Sequence, residues 1–135
     1  MLESWHSYLA GIVDGEGCIS IYRNKGSRDQ RYKCGTKSPS WIRSVNITNT
    51  CHPLLDEILQ RAGVGRICAN TRTHATRRQV YSFHINSKFE IGGFLLPLLP
   101  YLYVKREQAR VMLLELDGKL PTEVAAKFLK EAKRQ

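Results

Sequence analysis

Apolar residues recur at helical spacing over residues 4–15, where Trp5, Leu9, Ile12 and Val13 fall on one face. Ser4 is placed to cap this helix, and Gly15 and Gly17 to end it. Residues 18–24 then alternate, with Ile19 and Ile21 on one side and Ser20, Tyr22 and Asn24 on the other, the pattern of a half-buried strand. Residues 25–39 are polar and basic and predict a long hairpin loop. The chain returns in a second strand over residues 41–48, whose Val45 and Ile47 face a core while Ser40, Ile42, Ser44, Asn46 and Thr48 face outward.

Asn49-Thr50 breaks the alternation, and Pro53 suits the first turn of a helix whose stripe is Leu54, Leu55, Ile58 and Leu59 and whose end is Gly63. Residues 66–73 and 79–86 form a second hairpin. Its inward set is Ile67, Ala69, Tyr81, Phe83 and Ile85, and Arg66, Cys68, Asn70, Arg72, Ser82, His84 and Asn86 point outward, with a bulge the feature that would swap the faces of the second strand. A third helix over residues 89–99 is bounded by Pro97 and Pro100, and a fourth over 104–117 buries Val111, Leu114 and Leu116 and stops at Gly118. Thr122 caps a last helix reaching about residue 134, with Val124, Phe128 and Leu129 packed. The order αββαββα, followed by a helical extension over about 119–135, predicts one α+β domain spanning 1–135. Its four-stranded antiparallel sheet carries helices on one face and is wet and basic on the other.

Charge sharpens that picture. Lys and Arg outnumber Asp and Glu by 21 to 12, a net charge of +9. Such an excess suits a polyanion, and nucleic acid is the commonest one. On the outward face, Arg66 and Arg72 offer donors for guanine edges and Asn46 and Asn70 pair naturally with adenine. The turns holding Arg28, Arg31 and Lys33, and Arg77 and Arg78, are placed for phosphates. No apolar run approaches the roughly 20 residues of a membrane span, and the N-terminus lacks a signal-peptide pattern. An intracellular site is expected, in an organelle such as a chloroplast or mitochondrion or in bacterial or phage-infected cytoplasm. Cys18, Cys34, Cys51 and Cys68 contain no Cys-x-x-Cys pair, which favours reduced, partly buried thiols over structural zinc.

The first helix breaks a rule at its end. Glu16 sits where the macrodipole is negative and a cation is the stabilising choice. Gly11 and Gly15 cost about 1 kcal/mol each against Ala, and with Ala10 and Tyr8 beside them they leave a side with little bulk. Close approach of another backbone explains that loss. If that backbone is a second copy of this helix, two Glu16 carboxylates meet and call for divalent cations.

Leu9-Ala10-Gly11-Ile12-Val13-Asp14-Gly15-Glu16-Gly17 resembles the signature of the LAGLIDADG homing endonucleases. Further landmarks follow in the family's order: Ile47-Thr48-Asn49-Thr50 before Leu54-Leu55, then Gly63-Val64-Gly65-Arg66-Ile67, then Leu99-Pro100-Tyr101-Leu102 before Lys105. The resemblance implies a Mg²⁺-dependent, site-specific double-strand DNA endonuclease of intron homing, hydrolysing phosphodiester bonds. It places the Glu16 carboxylate and the Gly15 carbonyl on the metal, where Mn²⁺ or Ca²⁺ can also sit. Asn49 then organises water near the scissile phosphate and Lys105 stabilises its charge. His52 is open to two readings, a substitute for a further basic residue of the family or a local capping or surface residue. Asp14 is read as bracing backbone near the helix end.

Leu113-Leu114-Glu115-Leu116-Asp117-Gly118 echoes the motif but lacks its Ala-Gly pair, so a single copy is present. That implies a homodimer joined through Tyr8, Gly11, Ile12 and Gly15, a long near-palindromic target and a staggered cut. The alternatives are an RNA maturase that binds its host intron and assists group I splicing, and a noncatalytic DNA-binding regulator.

Overall fold

In the computed structural model, residues 2–24, 40–70 and 78–133 are described. Arg28, Arg31, Lys33, Cys34, Arg72 and Arg77 lie outside these residues. Helix α1 (Leu2–Glu16) runs directly into strand β1 (Gly17–Asn24). The join depends on Gly17, because a Cβ there would lie 2.7 Å from the Val13 carbonyl oxygen and 2.9 Å from its Cα. The helix starts before Ser4, which is a helical residue and not its cap. Nothing in the first residues breaks a helix, and Glu3 favours its first turn.

Strand β2 (Ser40–Asn49) pairs antiparallel with β1, and helix α2 (His52–Ala62) follows with Pro53 in its first turn. Gly63 closes α2 in the left-handed conformation, φ 69°, and its N–H reaches the Leu59 carbonyl. Strands β3 (Arg66–Ala69) and β4 (Tyr81–Ile85) complete one sheet in the order β1-β2-β4-β3. Both are shorter than the alternation suggests, although Asn70 N–H still bonds the Val80 carbonyl. Ala69 faces inward yet is exposed, since it ends the edge strand.

The inward face, Ile19, Ile21, Val45, Ile47, Phe83 and Ile85, is buried against the helices. Helix α1 contributes Leu9, Ala10 and Val13 to that core, and α2 contributes Leu55 and Ile58. Helix α3 is Lys88–Leu95, and Leu96–Tyr101 continues as a 3-10 helix. Pro97 and Pro100 remove the donors an α-helix needs there, so the third helix is shorter than expected.

Helix α4 (Arg106–Leu116) buries Ala109, Met112 and Glu115, while Leu114 is 38% exposed. That corrects the expected phase, and the cause is polar. Glu115 accepts from both Arg43 Nε (2.6 Å) and Arg43 Nη2, and from Thr122 Oγ1 at 2.9 Å. Thr122, expected as a cap, directs its hydroxyl to Glu115. Helix α5 (Thr122–Ala132) buries Ala125 and Leu129; Val124 and Phe128 are exposed at 52% and 40%, contrary to the pattern.

Candidate active site and nucleic-acid interface

Three distant segments converge at the C-terminal end of α1. Glu16 is the last residue of α1 and is exposed. Asn49 ends β2; its Nδ2 donates to Glu16 Oε2 at 2.5 Å, while its Oδ1 accepts the Cys51 N–H at 2.8 Å. Both ends of the amide are thereby used, one to fix the carboxylate and one to turn the chain into α2.

Lys105 arrives from the segment before α4. Asp14 Oδ2 accepts the Tyr103 N–H at 2.8 Å, Asp14 Oδ1 accepts the Lys105 N–H at 2.9 Å, and Lys105 Nζ donates to the Asp14 carbonyl at 2.7 Å. Asp14 therefore braces backbone as expected, and the backbone it braces is that of Lys105. The cation that the helix end calls for is partly supplied within the chain, because the Lys105 ammonium sits on a C-terminal carbonyl. Glu16 itself makes no ion pair among the described residues. His52 pairs with Asp56, Nδ1 to Oδ2 3.0 Å, and lies edge-on to Tyr81 with ring centroids 4.6 Å apart.

Beside this cluster, α1 is open. A Cβ added at Gly11 or Gly15 would meet nothing within 4 Å, and Tyr8 is 56% exposed. A shallow depression of about 450 Å³ joins Tyr8, Gly11, Ile12 and Gly15 to Glu16 and Asn49. The donor set suits a hard divalent cation: a carboxylate and a nearby backbone carbonyl, all oxygen. One chain brings a single acid to the spot, and the described residues contain no cluster of three or more His, Cys, Asp or Glu.

The outer sheet face is as the alternation predicts, in rows set by register. Cys18, Asn46, His84 and Arg66 form one row across all four strands; Thr48, Ser82 and Cys68 form the next. Ser20 faces Ser44, Tyr22 faces Ile42, and Asn24 faces Ser40. Two of these residues are not available to a ligand as expected. Ser44 and Ser82 are buried, being short side chains overshadowed by neighbours on inner strands, and Ser82 Oγ is engaged by Asn70 Oδ1 (3.1 Å) and Thr48 Oγ1 (3.2 Å). Burial, and then the adjacent Arg66 charge, push the His84 pKa below its ordinary range, which keeps the ring neutral beside the guanidinium at neutral pH. Arg78 is exposed at the end of the second hairpin.

The same arrangement of helix, sheet and helices recurs in solved structures. The homing endonuclease I-CvuI, in complex with the I-CreI target in the presence of Mg and with the DNA not cleaved, superposes with a TM-score of 0.72 at 21% identity, over 97% of this chain and 83% of that one. The chain has the LAGLIDADG homing-endonuclease fold. The archaeal intron-encoded homing endonuclease I-Vdi141I, complexed with DNA, is covered completely by this chain and covers it completely, with a TM-score of 0.60 at 14% identity. The LAGLIDADG meganuclease I-CpaMI, bound to uncleaved DNA, matches 83% of this chain with 37% of its own, at 22% identity and a TM-score of 0.58. No protein-family model and no curated protein sequence matches the chain.

Proposed function

We propose that two copies of this chain pair through the open face of α1 and act as a site-specific, divalent-metal-dependent DNA endonuclease of the intron-homing type. The observation that carries this reading is the junction of Glu16, Asn49 and Lys105 at the end of α1, directly beside the bare Gly11 and Gly15. Two-fold pairing brings two Glu16 carboxylates and two Gly15 carbonyls together as ligands for Mg²⁺, with Mn²⁺ or Ca²⁺ as substitutes. When bound, such a cation lowers the pKa of an attacking water and offsets charge on the leaving oxygen.

The chain's own groups do the rest. Asn49 holds one Glu16 oxygen and leaves the other free to ligate. Lys105, fixed by Asp14 at both its N–H and its ammonium, places a positive charge beside the phosphate. Asn46, Arg66 and His84 lie in one row with edges to offer bases in the major groove. Two-fold symmetry of the protein implies a near-palindromic DNA site.

The test is cleavage of a randomised duplex library with Mg²⁺ by the wild type and by Glu16→Gln. The wild type is expected to select one near-palindromic site. The amide variant binds that site but cuts it at least roughly 100-fold more slowly, a loss of the size seen when a site loses a main electrostatic group. Cleavage that survives Glu16→Gln removes the mechanism.

A further inference from the structure

We infer that the groove between α5 and the edge strand β1 is a second DNA-binding element, a rail for the phosphate backbone of duplex that leaves the sheet face. Strand β1 lies at the sheet edge, and α5 packs alongside it. Between them runs a groove of about 600 Å³. Its cations are Arg23 from β1, Lys127 and Lys130 along α5, and Lys133 at the C-cap of α5; among the described residues that line it, Glu123 is the single carboxylate.

The cations there outnumber the carboxylate four to one among the described residues. None of these four cations makes an ion pair among the described residues, although charges of both signs pair elsewhere on the surface. Packed like charges repel, so the arrangement is favoured when a polyanion fills the groove. The walls fit the same ligand: Tyr22 is 50% exposed, and Arg23 lies over the Trp41 ring at 5.5 Å, giving flat amphipathic surfaces against which sugars can rest.

Continuity names the occupant. Ser20 and Tyr22 belong both to the groove and to the outer sheet face, so a duplex on that face passes its backbone over this edge without a gap. The rail thus deepens the endonuclease reading and rests on it: it supplies position and affinity, while the sheet supplies base recognition.

The experiment measures affinity of the full chain for a mixed-sequence DNA duplex across a salt series. Every cation taken off a phosphate lowers the slope of log affinity against log salt by nearly one, so the variant with Lys127→Ala, Lys130→Ala and Lys133→Ala is expected to show a slope smaller by about 3 per protomer. Glu123→Lys, which adds a cation to an exposed position, tightens binding and steepens the slope. Lys119→Ala, outside the groove, leaves both unchanged. A triple variant that matches the wild type overturns the rail alone, since the wild type still binds; a wild type that does not bind duplex overturns the endonuclease reading with it. Loss of single-stranded RNA binding with duplex binding intact reassigns the groove to RNA and overturns the DNA rail.

Discussion

Asp14 and Glu16 stand two residues apart at the same negative helix end and carry the same charge, yet their surroundings divide their roles. Asp14 is consumed by two backbone N–H groups, and its own carbonyl holds Lys105 Nζ; Glu16 accepts a single amide and stays exposed. The acid that is fully engaged positions, and the acid that is left over can ligate. Asp14→Asn keeps one acceptor oxygen but turns an amide nitrogen toward the second N–H, so one of the two bonds goes and the segment carrying Lys105 loosens. The single-turnover cleavage rate is expected to fall about tenfold, near 1.4 kcal/mol, with DNA affinity changed less than about twofold. An unchanged rate contradicts the positioning role. Glu16 is legible from sequence because it violates a local rule. The Lys105–Asp14 contact is not, since it joins residues 91 apart that no local pattern connects.

At the scale of elements, strands are easier to read than helix phases. Alternation assigns a strand's faces almost uniquely, and the register rows across the outer sheet follow from it. Helix α5 offers two stripes four residues apart, Val124 with Phe128 and Ala125 with Leu129; side-chain size picks out Leu129 correctly but also favours Val124 and Phe128 over the small Ala125 that is buried. Helix α4 misleads for a different reason: its buried position is a glutamate, and only the strand that supplies Arg43 explains it. This ion pair, with side chains 13% and 3% exposed, fastens the central strand β2 to the helical layer. Glu115→Ala leaves Arg43 without its partner and is expected to cost roughly 3–5 kcal/mol in denaturant unfolding. The pair also sets a pH dependence. Hydrogen bonds from Arg43, then from Thr122, together with the positive charges of Arg43 and Lys88, hold the Glu115 carboxyl below its ordinary range against the opposing effect of burial. The unfolded state therefore takes up a proton first, so this stabilisation is complete above the ordinary carboxylate range near about 4.3 and is lost as pH falls through the lower folded value. Acid unfolding of Glu115→Gln should accordingly show a shallower loss over that window than the wild type, and equal slopes contradict the assignment.

For the whole molecule, the decisive question is whether α1 meets its own copy. Its inner face, Leu9, Ala10 and Val13, is fixed in the core, while Tyr8, Gly11 and Gly15 face solvent next to Glu16, the candidate metal ligand. Each interior glycine weakens a helix by about 1 kcal/mol, and within a single chain nothing offsets that, because no atom occupies the space a Cβ would fill. Pairing with a second copy would offset it by letting two backbones approach. Gly11→Leu separates these effects. In the isolated protomer the new side chain enters open space and removes a helix-weakening glycine, so thermal stability of the monomer is expected to be unchanged or to rise. Between two protomers the same side chain occupies the contact and holds the helices apart. Sedimentation should then show a monomer, and double-strand cleavage should disappear together with the paired Glu16 site, while weak binding to half of the DNA site persists through the sheet. A Gly11→Leu protein that sediments as a dimer and cuts both strands contradicts pairing through this face, whatever its stability.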